Sequence, residues 1–104
     1  MDVQEVTTAE DVVLLDVRER DEWRAGHIEG ALHVPMGELA ARQAELPQDT
    51  RIVCVCTSGH RSGAVTSALA RAGYDAHNLD GGMLAWVEAR LPVVDEDGAE
   101  GRLV

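Results

Sequence analysis

Cys56 stands at the junction of two unlike stretches. Before it, Arg51-Ile52-Val53-Cys54-Val55 is a short apolar run rich in β-branched residues, the pattern of a buried strand. After it, Thr57-Ser58-Gly59-His60-Arg61-Ser62 is polar and holds a glycine. The chain then resumes with Ala64, Val65, Ala68, Leu69 and Ala72 at helical spacing, and ends at Gly73, where a left-handed cap favours a residue without a Cβ. A strand–loop–helix unit of this kind puts the Cys56 thiol beside a helix N-terminus, whose unpaired N–H groups and partial positive charge favour an anion. A thiol so placed shifts toward thiolate, the nucleophilic form. Arg61 adds a permanent positive charge at the far end of the loop, and Gly59 lets the backbone curl so that N–H groups point inward. The chemistry spelled out is a cysteine nucleophile in an anion cradle, which needs neither a metal nor an organic cofactor.

Other chemistries fit less well. Cys54 and Cys56 are the only cysteines, one residue apart on the same face of a strand, where a disulfide between them would strain the backbone. Cys54 reads as a core residue, and a reduced compartment is expected. His60 is near, but nothing completes a zinc-ligand set. Gly59-His60-Arg61-Ser62-Gly63 lacks the lysine and glycine spacing of a phosphate-binding P-loop, and its serine is one place off the nucleophile-elbow pattern. His60 itself admits two readings, a group that tunes donor binding or proton supply, or a side chain that points to water. His27 reads as a hydrogen bonder fixing a turn; Asp16 and Arg18 read as partners of each other or of Glu22.

The elements that must position Cys56 follow from the rest of the chain. Its 104 residues suit one domain with a modest core, built from Val, Leu, Ile and Ala because there is no Phe and only Trp23, Trp86 and Tyr74 supply large rings. Asp11–Val17 is a continuous apolar run ending in an acid, the pattern of a parallel strand covered on both faces. A helix is expected over Glu19–Ala25, with Trp23 inward and Gly26 as its cap. A turn at Glu29-Gly30 and a strand over Ala31–Val34 follow, then a helix over Met36–Leu46 burying Met36, Leu39, Ala40 and Leu46, closed by Pro47. After the Cys56 unit come a weak strand over Asp75–Leu79, a turn at Asp80-Gly81-Gly82, and a helix over Met83–Arg90 burying Met83, Trp86 and Val87. Residues 1–10 are ambiguous; a short strand over Val3–Val6 is the reading adopted. The expected fold is α/β, a central, mostly parallel five-stranded sheet flanked by helices on both faces. Residues 1–93 form the domain and 94–104 an acidic, mobile or loosely docked tail with a hairpin at Asp97-Gly98. In such sheets ligands bind beyond the carboxyl ends of the strands, where Cys56 lies.

Charge narrows the partners. The formal net charge is −10, with nine Arg and no Lys, which argues against nucleic acid or an anionic membrane. An anionic substrate is repelled at long range, so any attraction must be local to the Cys56 loop. No apolar run approaches the about 18–20 residues that span a bilayer. The opening Met1-Asp2-Val3-Gln4-Glu5 lacks the basic and apolar regions of a secretory signal, so a cytoplasmic location is expected.

Three blocks then resemble one family. Leu15-Asp16-Val17-Arg18 with Glu22-Trp23, Gly26-His27-Ile28, Gly30-Ala31 and Pro35 is the first. Cys56-Thr57-Ser58-Gly59-His60-Arg61-Ser62 is the second, and Gly81-Gly82 with Trp86 the third. Together, in this order across roughly Val6 to Val93, they resemble the rhodanese-like sulfurtransferase domain in its small single-domain form. The loop counts six residues from Cys56 to Arg61, as in that family; related dual-specificity phosphatases have a wider loop suited to a phosphoryl group. The resemblance implies that Cys56 takes a sulfane sulfur from a donor such as thiosulfate or a persulfide, holds it as a persulfide and passes it to a thiophilic acceptor, a thiol or a protein. It also implies that the backbone N–H groups from Thr57 through Ser58, Gly59 and His60 to Arg61 stabilise the sulfur, and that the Arg61 side chain helps hold an anionic donor. The competing expectation is a rhodanese-like binding or persulfide-relay module that serves a partner protein, with little turnover of small molecules.

Overall fold

The computed structural model describes residues 1–104. Four strands pair in parallel, β1 (Val12–Asp16), β2 (Leu32–His33), β3 (Arg51–Val55) and β4 (Ala76–Asn78), in the spatial order β2-β1-β3-β4. The register sets Asp16 beside Val55 and Cys54 beside Asn78, so the carboxyl ends of β1, β3 and β4 come out along one edge of the sheet.

Alternation along β3 divides the core into two layers, as a period of two requires. Ile52, Cys54 and Cys56 face one side, packed with Leu39, Leu46, Val65, Leu69 and Tyr74. Val53 and Val55 face the other, with Val6, Leu79, Met83 and Trp86. Helices therefore cover both faces: α3 (Leu39–Arg42) and α4 (His60–Arg71) on the Cys54 side, α1 (Val3–Thr8) and α5 (Gly82–Glu88) on the other. The remaining helix, α2 (Arg20–Ala25), follows the carboxyl end of β1.

The sheet has four strands rather than five, because residues 3–8 are helical. Asp2 caps that helix by accepting from the Glu5 N–H (2.8 Å), while the Glu5 carboxylate accepts from the Asp2 N–H (3.0 Å). This reciprocal capping box stabilises a first turn that a strand would leave open. The segment 36–46 is a broken helix: a 3₁₀ turn at Met36–Glu38, the single α turn of α3, and a second 3₁₀ turn at Gln43–Glu45. Its ends are tied down by Met36 N–H to Val17 O (2.9 Å) and Tyr74 Oη to Gln43 O (3.1 Å). Leu39 and Leu46 are buried as expected, whereas Met36 and Ala40 are exposed. Val87, expected inside, is also exposed; Trp86 is the residue of that turn that packs, its Nε1 donating to Pro92 O (2.9 Å).

Residues 93–104 run back against α2 and its exit. His27 and Val94 exchange two backbone hydrogen bonds (2.9 Å each), and the Arg102 N–H donates to Ala25 O (2.8 Å). The turn around Asp97-Gly98 closes through Asp95 N–H to Ala99 O (2.9 Å), with Gly98 at φ 82°. Gly26 is a glycine because of this packing. Its φ of −178° is ordinary extended backbone, but a Cβ there would run into the Arg102 carbonyl and the Val93 side chain.

Beneath the same edge lies a buried ion pair. Arg18 is 1 % exposed, and its guanidinium forks onto Asp16 (Nε 3.0 and 3.1 Å, Nη2 2.8 Å) and donates to Gly26 O (2.7 Å). The Asp16 carboxylate also takes the Arg18 N–H (3.0 Å). The two close on each other, as the sequence suggested, and neither reaches Cys56.

Candidate functional site

β3 delivers Cys56 to the carboxyl edge of the sheet, and the chain turns at once into α4. Gly59, the residue before α4, sits at φ 97°, a left-handed conformation that a Cβ disfavours. That turn folds the Gly59 N–H back onto Cys56 Sγ at 3.1 Å. The Ser62 hydroxyl, in the first turn of α4 and fully buried, reaches the same sulfur at 3.3 Å.

These contacts set the thiol's acidity. Burial is the largest single influence on Cys56 and pushes the thiol up. The Ser62 hydroxyl and the N–H groups of Ser62, Gly59 and Ser58 together outweigh it, so the thiol lies below its ordinary range. Cys54, two residues back on the same face, shows the opposite balance: burial raises it and the Thr66 hydroxyl only partly opposes. It is a core residue with 0 % exposure.

The loop is braced from two sides. Asn78, at the end of β4, donates through Nδ2 to Gly59 O (3.0 Å) and lies 2.5 Å from the Ser62 hydroxyl through Oδ1. From the other side, the first N–H groups of α5 hold the carbonyls of the strand end: Met83 N–H to Cys56 O (2.8 Å) and Leu84 N–H to Thr57 O (3.0 Å). Gly82 makes this approach feasible. A Cβ there would overlap the Cys56 and Thr57 carbonyls, and its φ of 56° is itself left-handed. The closing glycine pair of the sequence is thus a backbone-to-backbone contact under the nucleophile.

Of the N–H groups expected to line the cradle, that of Gly59 makes a hydrogen bond to the Cys56 sulfur (3.1 Å), and those of Ser58 and Ser62 add to the lowering of the thiol. His60 is exposed and makes no side-chain hydrogen bond, which favours the reading that it points to water. Arg61 does not stand free as a cation for a donor. Its guanidinium forks onto Glu22 of α2 (Nη1–Oε1 2.8 Å, Nη2–Oε2 2.9 Å), and Nη2 also donates to Thr57 Oγ1 (3.2 Å). The Thr57 hydroxyl in turn donates to Glu22 Oε2 (3.1 Å). The Arg61 fork holds the Glu22 carboxyl down to about 2, with burial opposing and the Glu19 N–H and Thr57 adding to the effect. Arg61 is held up in turn, first by Glu22, and the Cys56 charge reaches it as well.

Ser62 and Asn78 are the site members the sequence did not single out. Ser62 belonged to the loop motif, but its role depends on the α4 turn facing Cys56. Asn78 is 22 residues from Cys56 in sequence and joins the site only through the register of β4 on β3. No three His, Cys, Asp or Glu side chains converge as a metal site. The surface hollows lie away from the thiol; the largest is formed by the end of α5 and the tail, and none is lined by residues 56–61. Cys56 itself is 1 % exposed, packed into the core on the α4 side of the sheet. No helix is long and apolar enough to cross a membrane.

Known proteins share this sequence pattern and fold. The family model for the rhodanese-like domain matches residues 2–89. A sulfurtransferase of Allochromatium vinosum is 38% identical over 96 residues, covering 91% of this chain and 90% of that protein. An HTH-type transcriptional regulator of Mycobacterium tuberculosis is 45% identical over 93 residues; the match covers 88% of this chain and 40% of the regulator. Among solved structures, a rhodanese-related protein from Thermoplasma volcanium superposes with a TM-score of 0.83 at 28% identity, covering 92% of this chain and 97% of that one.

Proposed function

The chain belongs to the rhodanese-like domain family, and from that premise we propose that it is a sulfurtransferase working by double displacement through a persulfide on Cys56. The Cys56 thiolate attacks the outer sulfur of a donor, thiosulfate or a persulfide, and a sulfur–sulfur bond to Cys56 forms. The donor's own bond to that sulfur breaks, and its electron pair leaves with sulfite or a thiolate. An acceptor nucleophile, a thiol or cyanide in an assay, then takes the outer sulfur and returns Cys56 to thiolate.

One observation carries this reading: the Gly59 N–H and the Ser62 hydroxyl aimed at a sulfur whose acidity they raise against the pull of burial. Donors fixed in place before reaction act without reorganisation when charge moves from Cys56 onto the outer sulfur and back. Removing a preorganised donor of this type costs about 2.7–4 kcal/mol of transition-state stabilisation in well-studied enzymes. The test is turnover of a sulfane-sulfur donor with cyanide as acceptor. Wild type forms thiocyanate and Cys56→Ser does not; undiminished thiocyanate from Cys56→Ser would contradict the assignment.

A second reading, a persulfide relay serving a partner protein, draws support from the mycobacterial relative, whose matching region lies within a longer protein named as a transcriptional regulator. It keeps the same Cys56 chemistry and differs in turnover. A relay loads one sulfur and shows little multiple turnover with small acceptors.

A further inference from the structure

The Cys56 loop contains one arginine, and its charge is already matched. The Arg61 fork lies on Glu22, and each Glu22 oxygen is used twice: Oε1 by Arg61 and the Glu19 N–H, Oε2 by Arg61 and the Thr57 hydroxyl. Those four contacts fill the acceptor sites of a carboxylate. The Glu22 side chain is only 17% exposed, so the pair is screened less than a surface ion pair.

No other arginine is placed to compensate. Arg18 is sealed onto Asp16, Arg20 and Arg42 pair with Glu38, and Arg24 and Arg51 lie toward Glu96 and Asp75. Arg71 closes the far end of α4, and Arg90 and Arg102 line the hollow beside the tail. The chain has no lysine, and its net charge is −10. A dianion such as thiosulfate, with a sulfonate-like head to be held beside the reacting sulfur, meets no unmatched side-chain cation there and no hollow lined by the loop.

We propose that Glu22 determines the donor class of this site. By holding Arg61 it removes the charge that a dianionic head requires, and Cys56 takes its sulfur from persulfides, whose outer sulfur is carried on a thiol. The proposal rests on the sulfurtransferase reading above. Its step balances without an added oxidant or reductant. The Cys56 thiolate attacks the outer sulfur of R–S–SH, giving Cys56–S–SH, while the donor's sulfur–sulfur bond breaks and its electron pair leaves with R–S⁻. The donor's reacting end enters uncharged, and the negative charge of the Cys56 thiolate leaves on R–S⁻. With thiosulfate, a dianion must approach and sulfite must leave as a dianion, in a loop whose inward N–H groups already serve the cysteine sulfur.

The experiment measures single-turnover loading of Cys56, read by intact-protein mass spectrometry, with thiosulfate and with glutathione persulfide as donors. Wild type loads from the persulfide at least about ten-fold faster per unit concentration, the discrimination expected from roughly one screened unit charge. Glu22→Gln keeps the size of the side chain, removes its charge and frees the charge of Arg61. It raises the thiosulfate-to-persulfide ratio about ten-fold, and adding Arg61→Gln cancels that rise, as a double-mutant cycle on a direct contact should show. Circular dichroism establishes that each variant is folded. If Glu22→Gln does not fold, Arg61→Gln alone decides: the proposal expects it to leave the donor ratio near the wild-type value. A selective loss of thiosulfate loading in Arg61→Gln overturns the proposal, as does equal loading of wild type by both donors, or an unchanged ratio in folded Glu22→Gln. No loading from either donor would instead overturn the sulfurtransferase reading beneath it.

Discussion

Replacing Ser62 by alanine tests how the cradle lowers the thiol. The Ser62 hydroxyl is fully buried, 3.3 Å from Cys56 Sγ, and it leads the groups that oppose burial there. A hydrogen bond to a charged group contributes about 1.5–3 kcal/mol, and about 1.36 kcal/mol moves a pKa by one unit. The hydroxyl has one proton and two acceptors, because Asn78 Oδ1 lies 2.5 Å away on its other side. Sharing that proton puts the effect at the low end of the range, a rise of about one unit in the Cys56 pKa. The assay is the pH dependence of alkylation by iodoacetamide, followed by intact mass in a Cys54→Ala background so that Cys56 alone is read. The midpoint moves up in Ser62→Ala, and below it each unit lowers the thiolate fraction about ten-fold. Ser67→Ala removes an exposed hydroxyl of the same helix that bonds only to Gly63 O (3.2 Å), and it leaves the midpoint in place. A midpoint in Ser62→Ala that is unchanged or lower refutes the reasoning, because the remaining N–H groups would then suffice to hold the thiolate.

Three further perturbations address the scaffold. Gly82→Ala sets a methyl group against the Cys56 and Thr57 carbonyls at a positive φ, and is expected to cost at least about 2 kcal/mol in urea unfolding; Gly30→Ala, at φ 85° with open space around it, costs nearer about 1 kcal/mol. Arg18→Leu leaves the Asp16 carboxylate buried without its partner and should destabilise by about 3–5 kcal/mol; adding Asp16→Asn recovers part of the loss, and no recovery would mean that the pair acts through packing alone. Acid should weaken the fold through Glu22. Its folded pKa, about 2, is depressed from an ordinary 4.5, so its contribution is complete above about 4.5 and disappears as pH falls toward 2. That depression corresponds to about 3 kcal/mol, reduced toward 1–2 kcal/mol because Arg61 is a third exposed. Unfolding midpoints measured from pH 6 down to 2 should fall less steeply for Glu22→Gln than for wild type; parallel slopes would remove Glu22 from the account.

What the sequence disclosed, and what it concealed, follows the range of the interactions. β1, β3 and α4 were legible because continuous apolar runs and the residues after them, Asp16, Gly59 and Gly73, mark local structure. Their meeting placed Cys56 at a strand end with no knowledge of the tertiary fold. α1 was taken for a strand because two valines in a short stretch suit either element; the Asp2–Glu5 capping pair was the overlooked signal. The face of α4 was mis-set for a related reason. Ala64, Ala68 and Ala72 fit the helical period, but they are exposed, while Ser62 joins Val65 and Leu69 inside because a hydroxyl is needed against the sulfur. The pairing of Arg61 with Glu22 spans 39 residues and depends on how α2 packs beside the loop. A single sequence shows two charges there and not that they cancel.

The central claim, a sulfur carried covalently on Cys56, is tested most directly by intact-protein mass spectrometry after brief exposure to thiosulfate or glutathione persulfide, on wild type, Cys56→Ser and Cys54→Ala. The account predicts a gain of one sulfur atom in wild type and in Cys54→Ala, discharged by cyanide or thiol, and no gain in Cys56→Ser. An adduct that persists in Cys56→Ser, or its absence from wild type with every sulfane-sulfur donor, would contradict it.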